Sequence, residues 1–336
     1  MNLSIIHGLI PDVQKKTSIK FSSDKNNCPY IFDIVSNNSF CVVSGSNHEF
    51  KSYNYNSNSL TFGGKLTYHN DTITNLKIHK DHFLMSSSKD GRIAIWDLRT
   101  SNQDPSQIFI AKKREPLLSF DINISDTLLA AGTELVEKDA KILFWDLRNP
   151  LSIRTEFVES HNDDITQVKF HPNNPSRLIT GSVDGLICNF DLKNFNEDEE
   201  LVGVINSGSS VNRVGYFGNA EYVYCLTHNE TFSLWGAPEA DLLCDFGDIR
   251  QNSVQSLVQI DYAIDCQFDS STNRLYLFAG SNTGNISMIH VNANELQLCQ
   301  TFNGGHSEIV RSICWNPQTN IFLTGGEDSK LCLWGP

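Results

Sequence analysis

Few residues in this chain combine the type and the spacing that chemistry requires. His79 and His82 stand three apart, a spacing at which two imidazoles can share a metal. No C-x2-C or H-x3-H pair accompanies them, and the stretch reads as a turn between strands carrying ordinary surface histidines. Hydrolases can use paired carboxylates as general acid and base, for which Asp163-Asp164 and the run Glu197-Asp198-Glu199-Glu200 are the candidates. Adjacent carboxylates in a loop are normally solvated, so we expect neither set to be catalytic. The chain has no phosphate-cradling G-x-x-x-x-G-K-[ST], no G-x-S-x-G elbow and no glycine turn opening a dinucleotide helix. Gly280-Ser281-Asn282-Thr283-Gly284 reads as a hairpin turn, and Lys112-Lys113-Arg114 as surface charge ahead of a strand. The sequence therefore offers no catalytic residue, no metal ligand and no cofactor.

The elements that would position any site emerge from an internal repeat: an apolar strand, a Gly/Asp turn, a second apolar strand, then an aromatic residue. It is clearest in LMSSSKDGRIAIWDLR (84–99), LITGSVDGLICNFDL (178–192) and FLTGGEDSKLCLWG (322–335). Apolar alternation on both sides of a tight turn specifies a β-hairpin, with Asp, Gly or Ser supplying the backbone angles that the turn needs. Weaker copies end at Trp145, Trp235 and Ile289, and a degenerate first copy carries Tyr53. The anchors 53, 96, 145, 190, 235, 289 and 334 recur mostly at the step of roughly 40 to 45 residues that one propeller blade occupies. The spacing predicts an all-β, seven-bladed propeller filling residues 1–336 as one domain.

A further strand precedes several hairpins: His69 then Ile73 and Leu76, His161 then Ile165 and Val168, His306 then Val310 and Ile313. This grammar resembles the WD-repeat family from about residue 18 to the end. The blocks 119–148, 161–192 and 304–334 are similar to one subgroup of that family, in a third blade without its histidine, the long turn Glu134 to Lys138, and Phe190. The resemblance implies hydrogen-bonded tetrads inside blades: His69, Ser86, Asp90 and Trp96 in one, His306, Thr324, Asp328 and Trp334 in the last. A third set, His161, Thr180 and Asp184, has Phe190 where the tryptophan donor belongs. Buried polar groups are tolerated only when paired, so these residues are read as structural. The last hairpin stops at Trp334-Gly335-Pro336 and lacks a fourth strand, and the family completes such a blade from the N-terminus. Thr17 to Phe21, with alternating Ile19 and Phe21, is the expected closing strand of the ring.

Two strand ends carry the sharpest functional pattern. Trp96-Asp97-Leu98-Arg99 and Trp145-Asp146-Leu147-Arg148 each have an acid six residues before the tryptophan, Asp90 and Asp139. The combination resembles the box through which WD-repeat substrate receptors of cullin-RING ubiquitin ligases present an arginine to the adaptor. An arginine fork makes a bidentate charged contact that a lysine cannot reproduce. The plainer alternative is a salt bridge at the strand end. The family resemblance also implies a general protein-binding surface, the narrow face, at positions flanking the first apolar residue of each inner strand and preceding the turn acid. These are Thr72, Thr74 and Lys89; Asp164, Thr166 and Val183; Ser210, Asn212 and His228; Tyr262 and Asn282; Ile309, Arg311 and Glu327.

Composition bounds the partners. A formal charge of −13 repels phosphate backbones and anionic lipid, which makes nucleic acid a poor partner. No apolar run approaches a membrane span, and the N-terminus lacks the basic region of a secretory signal. Nine scattered cysteines, an odd number falling partly in strand-like runs, suit a reducing compartment. The expectation is a monomeric, non-catalytic protein-interaction scaffold, intracellular and cytoplasmic or nuclear, binding other proteins. The alternatives are a cullin-RING substrate receptor and a small-ligand-binding or hydrolytic propeller.

Overall fold

Each of the seven anchors lies on the third strand of an antiparallel sheet: Phe50–Tyr55, Arg92–Asp97, Ile142–Asp146, Leu186–Asp191, Thr231–Gly236, Ile286–Asn292 and Lys330–Gly335. The computed structural model describes residues 3–22, 28–100, 103–237, 239–252 and 258–336. Among the described residues there are seven sheets, six four-stranded and one five-stranded, in which strands pair with their neighbours in sequence except for two strands from the N-terminus. The fold is all-β, a seven-bladed β-propeller. Blades one to six fall within residues 31–66, 73–110, 117–157, 167–206, 211–248 and 262–302, and the seventh begins at Val310.

The turns explain why the hairpins close where they do. Gly91 and Gly284 take left-handed φ values of 76° and 86°, a region that only glycine enters without strain. A Cβ at Gly91 would also stand 2.6 Å from the Arg114 Cα, and one at Gly284 2.6 Å from the His306 carbonyl carbon.

By density of contact the chain forms two compact units. The first comprises residues 1–85, 96–105 and 249–336, and includes blades one, six and seven. Its core joins Ile31, Ile34 and Val43 of blade one to Leu323, Leu331 and Leu333 of blade seven. The other face of blade seven packs Phe322 and Trp334 against Phe278, Met288 and Phe302 of blade six. Fit is close: a Cβ at Gly325 would lie 2.2 Å from the Ile31 Cγ2. The second unit, residues 86–95 and 106–248, includes blades three, four and five. Phe144, Phe157 and Ala130 of blade three meet Val168 and Phe190 of blade four and Ile165 just before it. Ile179 and Ile187 of blade four then meet Val211, Val214 and Val223 of blade five.

The N-terminal segment completes the last blade, as its missing fourth strand requires. Gln14–Lys20 pairs antiparallel with Lys330–Gly335, from Gln14 opposite Gly335 to Lys20 opposite Lys330, with a bulge between Lys15 and Thr17. The strand starts three residues before the expected Thr17 because the pairing runs past the bulge, where apolar alternation has no signal. Phe21 follows it and is buried. Ser4–Ile5 adds a fifth, parallel strand beside Glu295–Phe302 of blade six. Two residues are too short to carry a periodicity, so the sequence does not announce this strand.

Candidate functional site

The polar residues that most resemble a catalytic set are engaged inside blades. In blade seven His306 reaches Asp328 Oδ1 through Nδ1 at 3.0 Å and Thr324 Oγ1 through Nε2 at 2.7 Å. Trp334 Nε1 donates to the same hydroxyl at 2.9 Å, which completes the tetrad. In blade four His161 makes the corresponding contacts with Asp184 at 3.1 Å and Thr180 at 2.8 Å. Phe190, fully buried, fills the tryptophan position without a donor.

Burial alone would lift the Asp328 carboxyl, but bonds from His306, the Ser307 N–H and Lys330 hold it well below the usual range. Asp184 is held down against its own burial by His161 and by the N–H groups of Asn162 and Leu186. A depressed folded-state pKa stabilises above the unfolded value and loses that contribution as pH falls through the folded value. The melting temperature is therefore expected to drop progressively below the unfolded aspartate pKa of about 3.9. The Asp328→Asn variant should start lower and fall less steeply in that window, read by circular dichroism melts across pH.

Blade two departs from the expected set at its tryptophan. The Trp96 indole N–H donates to the Gln103 carbonyl at 3.3 Å, and Asp90 accepts the Arg92 N–H at 3.1 Å. Trp96 stands edge-on to Phe50 and His69, with centroids 5.0 and 6.2 Å away. Blade three has Ala131 two residues after the partner of its tryptophan, where blade seven has Thr324. The buried Trp145 Nε1 has no hydrogen-bond partner. An unsatisfied buried donor costs about 1–3 kcal/mol, so Ala131→Ser should raise stability by about 1 kcal/mol in urea unfolding. A loss of stability would show that the fully buried site has no room for the hydroxyl.

Both Trp-Asp-Leu-Arg arginines turn back onto their own aspartate. Arg99 donates from Nε and Nη2 to Asp97 at 2.8 and 2.6 Å, and Arg148 does so to Asp146 at 2.9 and 2.7 Å. The Arg99 bonds pull the Asp97 carboxyl down to about 2, and Arg148 takes Asp146 lower still. The arginine side chains remain 61% and 79% exposed, which leaves their outer edges open to solvent. Asp90 sits half-buried in a turn, whereas Asp139 is exposed at the base of the tight loop bridged by Val136 and Asp139. The two acids are thus not equivalent, since the longer third-blade turn carries Asp139 outward.

Of the narrow-face positions in the first unit, Arg311 is paired with Glu327 at 2.7 Å and keeps half its side chain exposed. The Glu327 N–H bonds to the Ile309 carbonyl, Asn282 donates its N–H to Asp261, and the Thr72 N–H bonds to Asp71. Thr74 is half-buried. Tyr262 is half-buried: its hydroxyl accepts the Val310 N–H at 2.7 Å, and its ring lies over Gly280. In the second unit Lys89 is ion-paired with Glu134. Asp164 accepts the Leu135 N–H at 2.7 Å, and the Val183 N–H bonds to the Asp164 carbonyl. Thr166 donates to the Val211 carbonyl at 2.8 Å, and the His228 N–H to the Ser210 carbonyl. Asn212 is half-buried.

Two members of the acidic run depart from the expected solvated loop, while Asp198 and Glu199 are exposed. Glu197 accepts N–H groups from Val158, Glu159 and Ser160, and the buried Glu200 accepts those of Lys193, Asn194 and Phe195. Unpaired backbone donors draw these carboxylates inward. Among the described residues no group of three or more His, Cys, Asp or Glu is arranged to hold a metal ion, and no helix is long and apolar enough to cross a membrane. Sequence reasoning missed a polar pocket in the second unit, lined by Arg177, Asn189 and Tyr216 among others. Its signal was two polar residues at repeat positions that are mostly apolar elsewhere.

A family profile described as "WD domain, G-beta repeat" matches residues 61–97, 152–191 and 296–335. The chain is similar to the WD repeat-containing protein 89 homolog of Dictyostelium discoideum, 30% identical over 309 residues that cover 91% of this chain and 82% of the relative. It is similar to the WD repeat-containing protein GTS1 of Arabidopsis thaliana, 33% identical over 341 residues, 95% of this chain and 85% of the relative. A shorter likeness, 29% over 110 residues, joins 32% of this chain to 28% of human nucleoporin Nup43.

Proposed function

We propose, on the premise that this chain belongs to the WD-repeat family, that it is a non-catalytic scaffold for other proteins. WD-repeat proteins generally act as protein-interaction platforms, and one partial relative carries the name of a nucleoporin. The observation that carries the reading is the engagement of its His–Asp pairs in strand-to-strand locks, His161 with Asp184 and His306 with Asp328. Exposed charged pairs such as Arg311–Glu327 and Lys89–Glu134 remain for partners to read. Charged rims of this kind set partner choice and encounter rate more than affinity. Nine cysteines, an odd number scattered along the chain, suit a reducing compartment, so we assign the chain to the cytoplasm or nucleus.

The second reading, a cullin-RING substrate receptor, draws on the exposed outer edges of Arg99 and Arg148. Affinity purification with mass spectrometry, on wild type beside Arg99→Ala/Arg148→Ala and Arg311→Glu, separates the two. The scaffold reading expects a reproducible set of co-purifying proteins that survives the double variant and is depleted by Arg311→Glu. A ligase adaptor recovered with wild type and lost from the double variant would install the second reading, and no specific protein with any form would sink both. The salt bridges are exposed, and exposed pairs contribute about 0–1 kcal/mol. The double variant should therefore melt within a few degrees of wild type, which keeps the comparison clean.

A further inference from the structure

Blade four breaks its own repeat at two places that face one cavity. Arg177 stands opposite Asp191, one residue before the partner of the third-strand anchor. The corresponding residues of other blades are Phe40, Leu128, Tyr222, Tyr276 and Ile321. Asn189 precedes the anchor Phe190, at a position that holds Phe144, Leu234, Met288 and Leu333 in four other blades. Arg177, Asn189, Tyr216, His171 and Glu221 line a cavity of about 240 Å³ within the second unit. Asn189 is 6% exposed, and its Oδ1 has no hydrogen-bond partner; neither has the buried Tyr216 hydroxyl. Unsatisfied buried polar atoms are costly, and two of them in one cavity favour an occupant that supplies the missing partners.

The lining decides what that ligand is. Arg177 offers a guanidinium fork, the geometry that matches a carboxylate, and the nearby Asp191 carboxylate, which feels its charge, is already held by Lys193 and Ser176. The Tyr216 hydroxyl is a second donor, and the Asn189 amide presents a donor or an acceptor according to its rotation. His171 forms a wall: its Nδ1 accepts the Asn173 N–H at 3.0 Å, its ring stands 4.9 Å from Tyr216, and burial pushes its pKa down. Glu221 at the exposed rim opposes a doubly charged anion and complements an N–H beside the acid. We infer that this cavity binds a carboxylate-bearing group with an adjacent N–H, the chemistry shared by an N-acyl amino acid and the free C-terminus of a peptide. The inference does not depend on the scaffold reading.

Titration calorimetry and thermal melts of the full chain test it with four probes: N-acetylalanine, pentaalanine with a free C-terminus, pentaalanine amide and inorganic phosphate. The free acids should bind and raise the melting temperature at millimolar concentration, while the amide and phosphate should not. Arg177→Ile and Asn189→Leu restore residues found at the same positions in other blades, so both variants should fold, with melting temperatures at or above wild type. Each should weaken binding of the free acids about tenfold or more, the loss expected for one charge-assisted or buried hydrogen bond. Binding of pentaalanine about tenfold tighter than N-acetylalanine would assign the source as a chain terminus, and equal binding a free small acid; both support the site. Absence of binding by either acid, equal binding of phosphate, or undiminished binding by Arg177→Ile would overturn it and leave a cavity filled by water.

Discussion

Deletion of residues 1–21 is expected to abolish cooperative folding of the unit that holds blades one, six and seven. The segment does more than supply the outer strand of blade seven. Val13 is buried among Phe302, Phe322 and Trp334, and its carbonyl accepts Gln300 Nε2 of blade six at 3.2 Å. Lys15 Nζ donates to the Gly304 carbonyl at 2.8 Å. Phe21 is buried in the cluster formed with Ile31 and Leu331, and its carbonyl accepts the Lys51 ammonium of blade one. Burying Val13 and Phe21 contributes about 1.5–3 kcal/mol each. The ladder from Gln14 to Lys20 adds hydrogen bonds whose loss would leave the Lys330–Gly335 edge unpaired. Together these approach the whole stability of an ordinary domain, about 5–15 kcal/mol. Limited proteolysis checks the result: the truncated chain should be digested rapidly throughout residues 28–85 and 260–336. Resistance equal to full length would show that the N-terminal strand is dispensable. Ile19→Asp in the intact chain should be milder, since Ile19 is only partly buried against the core.

How much of this was legible in the sequence follows from which interactions are periodic. The blades were legible because alternation and turn chemistry repeat seven times, and even the degenerate first copy placed Tyr53 on its third strand. The closing strand was legible through the family resemblance, which implies that a last blade short of its fourth strand is completed from the N-terminus, although its start was read late across the bulge at Lys15 and Thr17. The tetrads were legible where their residues are all present, at His306, and partly where one is replaced, at His161. They were not legible at Trp96, whose indole finds the Gln103 carbonyl of a loop with no fixed spacing. Site residues fared unevenly for the same reason. Tyr262 reads as an interface aromatic, and its hydroxyl also accepts the Val310 N–H of the next inner strand, a contact made between blades that no pattern within one repeat encodes. The inward turns of Glu197 and Glu200 depend on backbone donors brought near by tertiary folding. The cavity at Arg177 and Asn189 was visible in principle as a break in the repeat, and comparison of blades position by position, rather than motif search, is the reading that finds it.

The strongest single-residue effect is expected at Trp334, and blade four supplies the internal control. The Trp334 ring packs edge-on against Phe302, with centroids 5.3 Å apart, and lies so close to Gly305 that a Cβ there would stand 2.3 Å from the indole. Trp334→Ala removes this burial, and large-to-small changes at buried aromatic positions cost about 3–5 kcal/mol. Trp334→Phe reproduces what blade four already contains at Phe190. It forfeits the 2.9 Å bond to Thr324 but leaves the His306–Thr324 and His306–Asp328 contacts in place, as His161, Thr180 and Asp184 persist beside Phe190. One lost hydrogen bond plus the smaller ring amounts to about 1–2 kcal/mol. Urea unfolding monitored by circular dichroism should therefore place Trp334→Phe well above Trp334→Ala, with both below wild type. Equal midpoints for the two variants would mean that the indole N–H, not the packing of the ring, holds blade seven together. In that case Thr324→Val, which deletes the acceptor and conserves the volume, should be as damaging as either.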